Sequence, residues 1–462
     1  MAVGGAGVRP WQASVILHET ATSRVERVTE ETFRAIPSLS SMRNISMVLA
    51  VALLLTTSAS AQSVSAGGCT VNAFAYPPFT GTQAWLLLNC PETAWFVVVQ
   101  NTDRGLQVGP AYLQRAPGAN FILVLNAANV AENFTPYHTG NPSDRISDTR
   151  FCAAGTCIPP LDANDLGPNG IVLTVPGNIK PTIAVELHDR GIAWMCKSAG
   201  KSHTRRGMEM VIWGGWDPGN YDYTIQYIFR DDGQISFRAG ASGWDNEQIG
   251  IGTAEPHMHD ILWRVDIQLG SGLNTPYLWT HYEASLPAYD TENLFNSGHE
   301  GAMDLDELRF ATLIIEDSTT NAVNHPIGYE VQPFRAGTAR HYGAGEGWSL
   351  HDTWVTRFST PESLPATGGS SWTPPDDYLL GNGSNQFGVF NQESVVNQDI
   401  VLWHVSSAHH EPHDEDQAAG DTTHGLKGLT LMHWSGFDLV PHNLFDTNPL
   451  GGPHRSICDG AL

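Results

Sequence analysis

Two stretches of this chain carry residue types whose spacing suits metal and redox chemistry. One is Gly215-Trp216-Asp217-Pro218-Gly219-Asn220-Tyr221-Asp222-Tyr223, and the other is Pro256-His257-Met258-His259-Asp260. On a strand, residues i and i+2 share a face, so His257 and His259 present two imidazoles to one ion. Two ligands seldom suffice. Residues 407–416 offer His409, His410 and His413 as sources of a third. All-nitrogen ligation with positions left open to solvent suits copper(II) or zinc. A tyrosine held in a turn by Gly219 and Asn220 could be a ligand to that ion, a proton donor, or itself a target of the metal's chemistry. The same residues allow a plainer arrangement, with His-x-His on a solvated strand face and Tyr221 as an ordinary strand-end residue.

Stepping outward, β-like runs flank each of these groups. Residues 208–213 and 224–229 bracket the Tyr221 turn, 261–269 follow the histidine pair, and 399–405 lead to the third group. Further runs occur at 84–88, 94–100, 121–125, 182–187, 234–238, 309–315, 327–332 and 354–358. Turn signals such as Asp231-Asp232-Gly233-Gln234 separate them. Residues 131–148 and 150–182 read as loops rich in turn formers. With 46 glycines, 28 prolines and 14 tryptophans, the composition also favours an all-β body. One large domain fits, because the candidate residues scatter across most of it.

The chain has 462 residues and a net charge of -24, from 24 Lys+Arg against 48 Asp+Glu. That balance excludes nucleic-acid binding, which needs a basic face, and suits a protein that meets cationic ligands. Near the start, Met42-Arg43-Asn44, the apolar run 47–55 and Ala59-Ser60-Ala61 have the order of a secretory signal peptide at about 42–61. The apolar run is too short to span a bilayer, although a membrane anchor is the alternative reading. Residues 1–61 are therefore expected to be a dispensable extension plus signal, and 62–462 a secreted or periplasmic protein with no membrane attachment. The six cysteines are Cys69, Cys90, Cys152, Cys157, Cys196 and Cys458. In an oxidising compartment, Cys69–Cys90 and Cys152–Cys157 could pair by proximity.

The motif Gly219-Asn220-Tyr221-Asp222-Tyr223 resembles the cofactor motif of the copper amine oxidases. The resemblance continues in order along the chain. It includes Asp231-Asp232-Gly233-Gln234-Ile235, Ala239-Gly240-Ala241-Ser242-Gly243, Pro256-His257-Met258-His259, His325-Pro326-Ile327-Gly328-Tyr329 and Trp354-Val355-Thr356-Arg357. It ends with Asp399-Ile400-Val401-Leu402-Trp403-His404, His410-Glu411-Pro412-His413-Asp414-Glu415-Asp416, Gly436-Phe437-Asp438-Leu439 and Phe445-Asp446. What this implies is a large antiparallel β-sandwich, usually a homodimer. Copper held by His257, His259 and His410 would convert Tyr221 to topaquinone with molecular oxygen. Primary amines would then be oxidised to aldehyde, ammonia and hydrogen peroxide.

The resemblance also implies an upstream base, Asp148, with Asp144 as the other choice, and Tyr137 to orient the quinone next to Asn220. A second metal site, suited to calcium, would use Asp266, Ile267, Asp399 and Ile400. There are departures from the family pattern. Asp217 replaces a usual threonine, Gln268 replaces a usual aspartate at the second metal site, and Val185 stands where a disulfide cysteine is expected. The family's small N-terminal domains have no counterpart in the chain. A non-catalytic copper- or ligand-binding sandwich is the alternative to an oxidase, and a three-histidine zinc hydrolase is a third reading.

Overall fold

Alternation along Tyr221–Tyr227, the first part of a strand that runs to Arg230, sets the architecture. Tyr221, Tyr223, Ile225, Tyr227 and Phe229 are buried, while Asp222 is exposed and Thr224 and Gln226 are half-buried. A strand with one apolar face needs a second sheet to cover it, and the chain supplies two. The computed structural model describes residues 61–75, 83–102, 105–135, 144–146, 164–173, 183–198, 200–216, 221–244, 256–280, 291–304, 311–334, 347–358, 392–411 and 429–451. All belong to one compact unit, residues 58–462.

The strands begin with β1 Ala61–Ala66, β2 Cys69–Ala75, β3 Gln83–Asn89, β4 Ala94–Thr102, β5 Gly105–Gln114, β6 Phe121–Thr135 and β7 Asp144–Ile146. They continue with β8 Gly170–Leu173, β9 Ile183–Ser198, β10 Lys201–Trp216, β11 Tyr221–Arg230, β12 Ile235–Trp244, β13 His257–Ile267 and β14 Asn274–Thr280. The last seven are β15 Thr291–Leu294, β16 Gly301–Met303, β17 Ala311–Thr320, β18 Pro326–Phe334, β19 Thr353–Arg357, β20 Ile400–His410 and β21 Leu429–His442. The first sheet runs β1-β2-β3-β4-β5-β6-β13-β20-β19-β16, with β7 paired to β6. The second runs β15-β14-β17-β18-β21-β12-β11-β10-β9-β8. Every pairing is antiparallel, so the expected all-β sandwich is the fold observed.

The main core lies between the sheets. Trp263 from β13 packs edge-on against Tyr227 and Phe237 of the opposite sheet, at 5.9 and 5.7 Å between ring centroids. Phe237 and Phe437 stack at 4.5 Å. Each such buried side chain contributes about 1.5–3 kcal/mol. A smaller cluster of Leu262, Trp348, Trp354, Val401, Trp403 and Val405 covers the other face of β13 and β20. β13 is therefore buried at every position, which is why its sequence shows no alternation.

Polar ties join the N-terminal strands to the second sheet. Thr93 Oγ1 donates to the Asp231 carbonyl (2.8 Å) and Trp95 Nε1 to the Arg230 carbonyl (2.9 Å). Asp231 itself accepts from the Met208 amide at 2.9 Å and from Arg190 at 3.1 Å. The Cys69–Cys90 disulfide links β2 to the residue after β3. Cys196 is also disulfide-bonded, and Cys152, Cys157 and Cys458 lie outside the described residues.

The structure differs from the sequence reading at residues 131–148. Residues 131–135 are the end of β6, and 144–146 form β7. Glu132, Asn133 and Phe134 pair with Leu262, Ile261 and Asp260 of β13. Pairing with a central strand overrides the loop-like composition of the segment. β9 and β10 also extend well beyond the runs at 182–187 and 208–213.

Candidate metal and tyrosine site

Strand parity selects which histidines meet. His257 lies directly opposite His410 in the β13–β20 ladder, and His259 opposite Ala408. Opposed residues share a face, as do i and i+2, so His257, His259 and His410 all point into the space between the sheets. Their burial is complete or nearly so, at 0%, 2% and 0% exposure. This removes the solvated-face reading of His-x-His. His409, opposite Met258, takes the other face. His413 lies outside the described residues.

Tyr221, the first residue of β11, reaches this group from the facing sheet. Its hydroxyl is 2.9 Å from His410 Nδ1. Its ring centroid is 4.6 Å from that of His259 and 5.3 Å from that of His257. The imidazoles stand 4.8 Å (His257–His259) and 4.9 Å (His257–His410) apart. Among the described residues, no three His, Cys, Asp or Glu side chains close around a single metal position.

The donor set nonetheless fits copper. Burial, reinforced by His257, His410 and His433, holds the His259 imidazole well below the usual histidine range, so it is neutral. Its Nδ1 is 2.9 Å from the Tyr223 hydroxyl, and its Nε2 is buried with no hydrogen-bond partner. A buried nitrogen without a partner is costly unless something binds it, and a neutral imidazole nitrogen is a copper donor.

Three further residues belong to this environment and were not singled out in the sequence. Tyr223 bonds His259, and Thr135 at the end of β6 lies 3.1 Å from the Tyr223 hydroxyl. Tyr223 was legible as the i+2 neighbour of Tyr221 on an alternating strand. Thr135 carried no signal. His433 on β21 sits half-buried opposite Ala241, with its ring 4.6 Å from that of His410. It reaches the site only because the two sheets face each other. Asn220, Tyr137 and Asp148 lie outside the described residues; Asp144 is on β7.

The second candidate metal group lies at the other end of β13 and β20. Ile267 is opposite Ile400, which places Asp266 and Asp399 beside that pair. Asp266 Oδ2 accepts from Asn126 at 3.1 Å and faces Arg264 at 3.5 Å. One oxygen of each carboxylate, Asp266 Oδ1 and Asp399 Oδ1, is buried without a hydrogen-bond partner. Burial and the neighbouring Asp266 push the Asp399 carboxyl up to about 6. Two unsatisfied carboxylate oxygens suit a hard cation, while Arg264 already supplies part of the balancing charge.

Residues 175–456 match the family model described as copper amine oxidase, enzyme domain. Histamine oxidase of Arthrobacter globiformis is 26% identical over 369 residues, covering 71% of this chain and 51% of its own length. Copper-containing amine oxidase 3 of Bos taurus is 23% identical over 268 residues, covering 50% of this chain and 32% of its own. The chain thus spans about half the length, or less, of these relatives. The benzylamine oxidase structure from Hansenula polymorpha superposes with a TM-score of 0.59 at 17% identity, over 79% of this chain and 60% of that one. The lysyl oxidase structure from Pichia pastoris gives 0.56 at 17% identity, over 79% and 53%. These superpositions speak for the shared sandwich alone. The match to the enzyme-domain model runs from just after β8 to beyond β21, across both sheets and every described site residue from Tyr221 to His433, and on it the chain belongs to the copper amine oxidase family.

Proposed function

We propose that the protein oxidises primary amines to aldehyde, ammonia and hydrogen peroxide, with copper at His257, His259 and His410 and topaquinone formed from Tyr221. The observation that carries this reading is the enclosure of the buried Tyr221 ring by three imidazoles, with its hydroxyl 2.9 Å from His410 Nδ1. Copper held by these residues would supply, with molecular oxygen, the chemistry that turns Tyr221 into a quinone able to accept electrons from an amine. The residues of the chain do the rest. The buried tri-histidine pocket keeps the His259 imidazole neutral. Asp148 removes the proton from the substrate's α-carbon, for which a desolvated position raising its pKa would be suited. Tyr137 and Asn220 orient the ring derived from Tyr221. Charge of -24 steers cationic amines toward the protein, an effect that weakens with salt.

The residues that would hold calcium at the second site are Asp266 and Asp399, with Ile267 and Ile400 beside them. The protein acts as a secreted or periplasmic homodimer after cleavage of residues 42–61. Among the described residues, no helix is long and apolar enough to cross a membrane.

The test is amine-dependent peroxide release by the copper-loaded chain, offered benzylamine, histamine and other primary amines. Peroxide and ammonia should appear together and be absent from Tyr221→Phe. A folded, copper-loaded chain that releases no peroxide with any amine contradicts the proposal. Asp148→Asn should form the quinone but not turn over; normal turnover would move the base to Asp144 or elsewhere.

A further inference from the structure

β11 carries two tyrosines toward the same pocket, and they are held differently. Tyr221 begins the strand and makes its hydroxyl contact with His410. Tyr223 lies one pleat deeper, with its hydroxyl between His259 Nδ1 (2.9 Å) and Thr135 Oγ1 (3.1 Å). All three of these partners are nearly fully buried: Tyr223 and Thr135 at 2% exposure and His259 at 2%.

The tautomer of His259 decides what this arrangement does. A neutral imidazole has one N–H and one bare nitrogen. If Tyr223 donated to Nδ1, the proton would sit on Nε2, a buried donor with no acceptor. If Nδ1–H donates to the Tyr223 oxygen, the Tyr223 O–H donates to Thr135 Oγ1, and the buried Nε2 is left bare. The second arrangement leaves no buried N–H of His259 without an acceptor, and the bare nitrogen is the one a metal would take. A metal-bound histidine typically donates its other N–H to an acceptor that fixes ring and tautomer.

Resting on the copper reading above, we infer that Tyr223 and Thr135 are positioning residues that hold His259 in the Nδ1–H tautomer, so that its Nε2 is a ready copper donor. The two tyrosines then divide the work. Tyr221 is the residue to be oxidised. Tyr223, a residue of the second sheet tied at its hydroxyl to β13 and β6 of the first, sets the metal ligand and stays a tyrosine.

The experiment is copper(II) titration of the metal-free full chain against a competing chelator, with the electron paramagnetic resonance spectrum of the bound ion. Thermal midpoints of the metal-free proteins are measured alongside. Tyr223→Phe should bind copper about 10–100-fold more weakly, the usual cost of losing such an outer partner, and shift the copper hyperfine pattern. Tyr227→Phe is the control. Tyr227 is on the same face of the same strand, fully buried, and donates to the Leu106 carbonyl at 2.9 Å. Its loss should lower the thermal midpoint and leave copper affinity and spectrum alone. If Tyr223→Phe does not fold, Thr135→Val replaces it, with a smaller weakening expected and recovery in Thr135→Ser. Unchanged affinity and spectrum in whichever variant folds overturns this inference while leaving the copper reading intact. Failure of the wild-type chain to bind copper overturns both.

Discussion

The two ends of the β13–β20 ladder make an instructive contrast. At one end His257, His259 and His410 point inward, into the space between the sheets. At the other, Arg264 and Asp266 occupy the opposite face, with Asp399 beside them. One strand pair thus builds two polar groups by parity alone: inward positions give imidazole nitrogens, outward positions give carboxylate oxygens. The physical demands differ accordingly. The His259 imidazole survives in the core because burial suppresses its protonation. Buried carboxylates need a countercharge, and Arg264, itself 2% exposed, supplies one. The nitrogen end is prepared for a soft-to-borderline metal, and the oxygen end is already half balanced without one.

The largest expected effect tests the inward end. His410→Ala should abolish quinone formation, whereas His409→Ala, on the other face, should leave it unchanged. Absorbance after copper addition in air reports both, and the reverse result would contradict the parity argument. Next, Arg264→Met should remove the internal countercharge and leave Asp266 buried and unpaired, a change that typically costs about 3–5 kcal/mol. Denaturant unfolding of the metal-free chain measures it. A near-neutral result would mean that Arg264 does not balance these carboxylates.

A smaller effect concerns pH. The Asp399 carboxyl is raised to about 6, so the folded chain binds a proton there more tightly than the unfolded chain does. Stability from this group is therefore full below the ordinary aspartate range and falls as pH rises through about 6. Without divalent cations, Asp399→Asn should remove that decline. With calcium above pH 6, wild type should gain thermal stability that the variant does not. Equal calcium stabilisation of both would take Asp399 out of the second site. Least in size, removing the Cys69–Cys90 disulfide by Cys90→Ser should lower stability by about 2–4 kcal/mol or less. It should leave copper binding at β13 and β20, which neither β2 nor β3 adjoins, unaffected, as a titration of the variant would show.

Much of the site was legible in the sequence because it depends on local spacing. His257-x-His259 and the alternation around Tyr221 need only the two-residue period of a strand. What the sequence hid was set by tertiary contacts. β13 shows no alternation because a second cluster, including Trp354 and Trp403, covers its outer face. Residues 131–135 look like a loop, yet they are strand because β13 offers a partner. Thr135 and His433 reach the histidines only across sheet pairing and sheet packing, which no periodicity announces. The choice of His410 over His409 needed either a family resemblance or the register opposite His257.

The central claim is that Tyr221 becomes the quinone under copper held by the three inward histidines. The most direct measurement is phenylhydrazine labelling of the copper-loaded, air-exposed chain, followed by peptide mapping. The account predicts one coloured covalent adduct, on Tyr221 and not on Tyr223, absent from His410→Ala. A folded chain with copper bound and no adduct on Tyr221 would contradict it.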